Sequence, residues 1–465
     1  MNDGHDFARW ANELQLASGI AGLNWPAIPP RYALGQLALL VQLEASQWWS
    51  PERLREHQFV QLRRLLQHAR DTCSYYQEQI PELPTELSDS FCHSLPLLTR
   101  RDLQTRFADI ASSRPPKEHG RIGTNITSGS TGQPLKTLTT ELCSLFWKVF
   151  TIREHHWHGR DARGTLAVVR HTNAAGAVAP DGKRHPNWGS AMQGLFETGP
   201  SALLGTTATI QAQADWLERV DPDYLLIYPS AMLALAELFR ASGRQLSRLR
   251  QVRTFGEIVE SKHRDACRAA WDVSLVDLYS SNEVGYIALE CPEHETYHVQ
   301  SEGVLVEVLD DSGAPCQPGE TGRVVVTALH NFAMPLVRYE IGDYAEVGEP
   351  CRCGRGLPTL RRIFGRQRNI LRTPDGQWRW PSFAEGDKPE ALPAFYQFQL
   401  VQRTLQRLEM RVVRPVPFTL AEEATLREYL QKSLHYPFEI HFVYLDSIPR
   451  NPTGKFEDFV SELPE

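Results

Sequence analysis

The feature that most constrains the fold is an alternation in the middle of the chain. Three short apolar runs, Leu166-Ala167-Val168-Val169, Tyr224-Leu225-Leu226-Ile227-Tyr228 and Ser274-Leu275-Val276-Asp277-Leu278, have the length of strands and the unbroken apolar character of strands buried on both faces. Segments with helical spacing lie between them, at residues 230–242 and 260–271. Strands that alternate with helices bury their apolar faces as a largely parallel sheet covered by helices, so the fold class is α/β.

The flanks differ in texture. From residue 51 to residue 80, Leu54, Phe59, Leu62, Leu65, Leu66 and Ala69 recur at helical spacing and predict one amphipathic helix in a helical N-terminal section. From 303 to 329, Val304, Val306 and Val308 alternate, a Gly-Glu-Thr-Gly turn follows, and Val324 to Val326 resume, which predicts a β-hairpin section. The stretch 351–368, rich in arginine and glycine, reads as a linker. Beyond it, residues 408–413 and 439–445 read as strands and 420–434 as a helix, an α+β unit of domain size. Neither an internal repeat nor a low-complexity tract is visible.

Composition narrows the function classes. At 465 residues the chain has room for one large domain and a smaller companion, and 42% hydrophobic with 23% charged residues is a globular balance. A net charge of -7 gives no attraction for phosphate backbones, so no nucleic-acid partner is expected. Eight dispersed cysteines do not form the lattice of a small secreted module. The first residues lack the basic stretch and apolar run of a signal peptide, and the apolar segment at 37–43 is too short to span a bilayer. A cytoplasmic protein without a membrane span is expected. Basic residues are nearly all arginine, which makes each of the eight lysines informative, Lys455 above all.

The strongest local motif is Thr127-Ser128-Gly129-Ser130-Thr131-Gly132-Gln133-Pro134-Leu135-Lys136. Hydroxyl side chains and glycines let backbone N–H groups converge on phosphate oxygens without Cβ clashes. It is not the kinase and ATPase P-loop, which needs glycine directly before its lysine. Further segments follow in order: Phe255-Gly256-Glu257, Tyr279-Ser280-Ser281-Asn282-Glu283, Val337-Arg338-Tyr339-Glu340-Ile341-Gly342-Asp343, Gly365-Arg366 and Pro452-Thr453-Gly454-Lys455. By this series the chain resembles the adenylate-forming (acyl/aryl-CoA synthetase) superfamily, in its phenylacetate-CoA ligase-like and capsule-biosynthesis-like branch.

The resemblance implies a large N-terminal ATP- and acid-binding domain, residues 1–365, made of mixed sheets packed with helices plus a β-barrel-like section. A small α+β cap, residues 366–465, would carry the catalytic lysine. Thr127, Ser128, Gly129, Ser130, Thr131 and Gly132 would hold the β- and γ-phosphates of ATP, with Gly256, Glu257, Ser280 and Asn282 also around the nucleotide. Tyr279 would pack against adenine and Glu283 would help bind Mg²⁺ beside the α-phosphate. Asp343 would accept both ribose hydroxyls, a task for which a carboxylate has two acceptor oxygens, and Arg366 would brace the same ribose. Lys455 would bridge the substrate carboxylate and the α-phosphate. Tyr228, Pro229 and Ser230 fall where the family builds its acid pocket, although a strand-to-helix turn with a serine N-cap accounts for them equally.

A second constellation is metal-like. Cys351-Arg352-Cys353 and the upstream Cys291-Pro292-Glu293-His294-Glu295-Thr296-Tyr297-His298 can supply a tetrahedral set for a structural Zn²⁺. Similar groupings occur in some members of the resembled family, where the histidine leads into a strand, which favours His298 over His294. By contrast, Glu154-His155-His156-Trp157-His158 is read as no metal tract, because successive helical residues point in different directions.

The chain departs from the family at its hinge, where Gly365-Arg366-Gln367-Arg368-Asn369 lacks both acidic residues of the usual Gly-Arg-x-Asp-Asp. The segment 370–381 also replaces the Gly-rich strand that normally shapes a thiol tunnel. The expected activity is ATP-dependent activation of a small aryl or acyl carboxylic acid and its transfer to a thiol, of CoA or of a carrier protein's phosphopantetheine. The alternatives are transfer to an amine or hydroxyl acceptor, and a non-catalytic, zinc-stabilised nucleotide-binding partner protein.

Overall fold

The computed structural model describes residues 16–127, 135–172, 174–366, 371–375, 378–379, 397–434, 436–448 and 459–463. Helices α1 (Arg31–Ser46), α2 (Pro51–Thr72), α3 (Ser74–Gln79), α4 (Asp89–Ser94), α5 (Arg100–Thr105) and α6 (Phe107–Ile110) come first. The single helix expected over 51–80 is two helices, because Cys73 is extended at φ -122, ψ 118. In the short helix after the break Tyr75 and Tyr76 are both buried, and the Tyr76 hydroxyl donates to the Pro335 carbonyl at 2.6 Å.

A hairpin of β1 (Ile122–Thr127) and β2 (Leu135–Thr140) leads into α7 (Glu141–Trp157). Then come β3 (Leu166–Arg170), β4 (Lys183–His185), β5 (Ser201–Gly205), α8 (Ile210–Val220), β6 (Tyr224–Ile227), α9 (Pro229–Ser242), β7 (Gln251–Phe255), α10 (Ser261–Trp271) and β8 (Ser274–Ser281). Strands β3, β5, β6, β7 and β8 run parallel in the spatial order β5-β3-β6-β7-β8. The order of winding therefore reverses between β3 and β6. In such sheets, ligands bind beyond the carboxyl ends of the strands at this reversal.

Beyond β8 the same 12-stranded sheet continues antiparallel through β9 (Gly285–Glu290), β10 (Tyr297–Val299), β11 (Val304–Leu309), β12 (Thr321–Ala328), β13 (Tyr339–Val347) and β14 (Thr359–Arg366). This is the expected barrel-like section, and it is continuous with the parallel half. Its spatial order runs β8-β9-β10-β14-β13-β12-β11. Four ladder steps separate β8 from β13, which in a flat sheet is about 19 Å. A side-chain hydrogen bond nevertheless joins them, from the Tyr279 hydroxyl to Asp343 Oδ2 at 2.8 Å, so this half curls back on itself. Its interior is an apolar cluster that includes Ile287, Val299, Val324, Val326 and Ala345.

The stretch read as a linker, 351–368, is corrected. Its second half is β14, paired with β10 and β13 inside the main sheet. Arg361 and Arg362 are exposed, Arg361 pairing with Glu346 at 2.9 Å, while Leu360 points into the core. A separate small-sheet domain follows: β15 (Leu371–Arg372), β16 (Trp378–Arg379), β17 (Gln397–Gln402), β18 (Arg407–Val413), α11 (Leu420–Ser433), β19 (Glu439–Leu445) and β20 (Phe459–Ser461). Its four-stranded sheet has the order β19-β18-β17-β20. Among the described residues no helix is long and apolar enough to cross a membrane.

Candidate nucleotide-binding site and cysteine cluster

The segments singled out in the sequence occupy the carboxyl edge of the parallel strands. Tyr228, Pro229 and Ser230 follow β6, Gly256 and Glu257 follow β7, and Asn282 and Glu283 form the turn between β8 and β9. Tyr228 is buried, with its ring 4.5 Å from that of Phe255. The serine cap considered for α9 is not what forms. Tyr228 is the N-cap residue, Pro229 takes the first helical position, and the Ser230 N–H donates to Glu257 Oε2 at 2.9 Å. A carboxylate from the next strand thus satisfies a free donor at the positive end of the helix. Gly256, at φ 74, makes the turn that aims Glu257 back at α9.

Tyr279 lies on β8 at 8% exposure, and Ser280 follows it across a β-bulge. Asn282 is exposed and Glu283 partly buried at the turn. The turn is fastened to the β1–β2 hairpin by Asn125, whose Nδ2 donates to the Asn282 carbonyl at 2.8 Å. Thr127 ends β1 opposite Leu135. The rest of the motif, Ser128, Gly129, Ser130, Thr131 and Gly132, lies outside the described residues, as do the hinge positions Gln367 to Asn369 and Lys455. The strands that carry the loop are thus anchored to the turn that carries Glu283. On the facing wall, Asp343 of β13 receives the Tyr279 hydroxyl and stands opposite Arg366 in the β13–β14 register. Of these contacts, that of Asn125 was not legible in the sequence, because no motif includes that residue.

At the other end of β9 the structure gathers Cys291, His298, Cys351 and Cys353, whose donor atoms all lie within 4.8 Å of one another. Cys291 Sγ is 3.8 Å from Cys351 Sγ, and Cys353 Sγ is 3.4 Å from His298 Nε2. Bonds of about 2.3 Å to sulfur and 2.0–2.1 Å to nitrogen at tetrahedral angles give edges of about 3.8 and 3.5 Å, so the set fits a Zn²⁺ ion. His294 is not in the cluster. A hydrogen bond from the Cys291 thiol, aided by His298 and Arg355, drives the Cys353 thiol down to about 2, toward the thiolate that ligates metal. The loop is bolted to the end of α1. Arg355 stacks over Trp48 and Trp157 and donates to Gln47 Oε1 at 2.9 Å, and the Gly356 N–H donates to the Gln47 carbonyl at 2.9 Å.

The three histidines of α7 and its cap go to separate partners: His155 to Arg160, His156 toward Glu44, and His158 to the Glu290 carbonyl. Glu154 instead sits buried between Arg160 and Arg253, whose charges hold its carboxyl well below the usual range against the opposing effect of burial.

No family model matches the chain. It is 26% identical over 396 residues to a phenylacetate-coenzyme A ligase of Thermus thermophilus, covering 79% of this chain and 83% of that protein. It is likewise 26% identical over 440 residues to one from Escherichia coli, covering 86% and 93%. Among solved structures, 2-hydroxyisobutyryl-CoA ligase in its postadenylation state, in complex with R3-HIB-AMP, superposes with a TM-score of 0.68 at 19% identity, covering 96% of this chain and 97% of that one. An anthranilate CoA ligase in complex with anthranoyl-AMP gives 0.55 at 16% identity, covering 72% and 65%. Motif order, fold and relatives agree: the chain is similar to the phenylacetate-coenzyme A ligases and has the fold of adenylate-forming CoA ligases.

Proposed function

We propose that this protein activates a small carboxylic acid with ATP and transfers the acyl group to CoA. The observation that carries the reading is the meeting of three separate motifs at one edge of the sheet. The Glu283 turn is tied by Asn125 to the strands of the phosphate loop, and Tyr279 is hydrogen-bonded to Asp343 across the curled sheet. The names of the relatives supply the acceptor, since they are coenzyme A ligases.

In the first half-reaction a carboxylate oxygen of the acid attacks the α-phosphorus, the bond to the bridging oxygen breaks, and pyrophosphate leaves, giving an acyl-adenylate. In the second, the thiol sulfur attacks the acyl carbon and AMP departs. Asp343 would hold the ribose, the loop after Thr127 would take the outer phosphates, and Glu283 would help hold Mg²⁺, which when bound would supply charge neutralisation for the phosphates. Lys455, on the cap formed by residues 366–465, stabilises the same charge in the transition state.

The test is acid-dependent exchange of labelled pyrophosphate into ATP over a panel of aryl and short acyl acids. Lys455→Ala should lower exchange by about 100-fold or more, with a much smaller change in the KM for ATP. Undiminished exchange in that variant would remove Lys455 from the mechanism, and no exchange with any acid would favour a non-catalytic nucleotide-binding protein. Mass analysis of the product formed with CoA then identifies the acceptor.

The cysteine cluster serves as a structural zinc site in this reading. Cys291 directly follows the 6-residue strand β9, whereas Glu283 precedes it, so the two sites lie about 20 Å apart. An ion there cannot touch the nucleotide. Metal analysis should find about one zinc per chain, lost in Cys351→Ser/Cys353→Ser protein; equal content in both would refute the site.

A further inference from the structure

Tyr279 does more than line the site. Its ring is 8% exposed and belongs to the cluster inside the curled half of the sheet, packed among residues such as Ile287 and Ala288. A phenol fixed in this way cannot follow a mobile partner. Asp343 is the more exposed member of the pair, on β13, next to Gly342, whose φ of 86 falls where the β12–β13 ladder shifts register. The bond of 2.8 Å between them runs from a clamped donor to an acceptor with more freedom.

We infer that Tyr279 is a positioning residue: its hydroxyl fixes the rotamer of Asp343 so that the carboxylate meets both ribose hydroxyls, and the protein's preference for ribonucleotides depends on it. This rests on the adenylation reading above. The stoichiometry permits it. A carboxylate has about four lone-pair sites, so one accepted bond from the phenol leaves enough for two ribose hydroxyls. A carboxylate on a single free torsion would pay rotamer entropy on each binding event, and the phenol removes that cost beforehand. The bridge also spans β8 and β13, so it sets the distance between the wall behind the Glu283 turn and the wall that carries Asp343.

The experiment compares wild type, Tyr279→Phe, Asp343→Asn and the double variant in pyrophosphate exchange with ATP, 2′-deoxyATP and GTP. Tyr279→Phe should raise the KM for ATP about tenfold with a much smaller change in kcat, and lower the ATP over 2′-deoxyATP preference about tenfold, the size of one charge-assisted hydrogen bond. The ATP over GTP preference should stay as in wild type. In the Asp343→Asn background the same substitution should have no further effect on sugar preference, because the group it acts through is already altered. Thermal melts of each variant separate these effects from loss of fold. An unchanged sugar preference in folded, active Tyr279→Phe would overturn the inference alone, and an equal fall in base preference would assign the hydroxyl to the base and overturn it too. Wild type without exchange would bring down the adenylation reading and this inference with it.

Discussion

At the scale of single residues, the buried polar groups decide how stability responds to pH. Asp277 sits on β8 between the Thr254 hydroxyl at 2.8 Å and the Tyr297 hydroxyl at 2.9 Å. Burial, reinforced by the neighbouring Glu290, pushes its carboxyl up to about 7. The folded protein therefore holds this proton more tightly than the unfolded chain. The resulting stabilisation is fully present below the unfolded value near 4 and is lost as pH rises through about 7. Relative to Asp277→Asn, wild type should lose about 2 kcal/mol between pH 5 and pH 8, measured by urea unfolding at each pH. Parallel curves for the two proteins would show that Asp277 does not titrate there. Glu154 is the opposite case. Glu154→Gln leaves Arg160 and Arg253 buried with their carboxylate partner gone, and should cost about 3–5 kcal/mol in the same assay.

At the scale of elements, stability concentrates where loops are pinned and helices are capped. A Cβ on Gly356 would run into the Trp49 carbonyl, so Gly356→Ala must push the cysteine loop away from the α1–α2 connection. A loss of about 1–3 kcal/mol is expected, together with weaker zinc retention under a chelator. Unchanged retention would mean that the loop holds its shape without the helix behind it. Helix α11 has a capping box in which Thr419 and Glu422 satisfy each other's backbone N–H groups. Thr419→Ala should cost about 1 kcal/mol, read from the melting of the small domain.

At the scale of the whole molecule, the cores divide the chain. The clusters around the 12-stranded sheet draw on buried residues up to Leu360, whereas the cluster of the small domain runs from Leu371 to Phe459 and shares none of them. Leu371 already belongs to the small domain, where Arg372 exchanges hydrogen bonds with Gln402. Two cores joined through so short a segment are expected to unfold in two calorimetric transitions, with nucleotide raising the larger one. One cooperative transition that nucleotide shifts as a unit would argue against independent domains.

Local sequence was enough for what depends on periodicity and on residue type. The central strands and helices, the hairpin at 304–328 and the strand at 439–445 were readable because side-chain spacing follows backbone geometry. The pairing of Cys-x-Cys with a distant Cys and His was readable as chemistry. Tertiary structure decided everything that depends on which segments meet. The stretch 359–366 looked like a linker because the exposed Arg361 and Arg362 interrupt any apolar alternation, and only pairing with β13 and β10 reveals the strand. The break at Cys73, an extended residue between two helices, leaves no mark in the apolar spacing of 51–80. The contact of Tyr279 with Asp343, 64 positions apart, exists because the antiparallel half of the sheet curls, and curvature is a property of the assembled ladder that no single segment encodes.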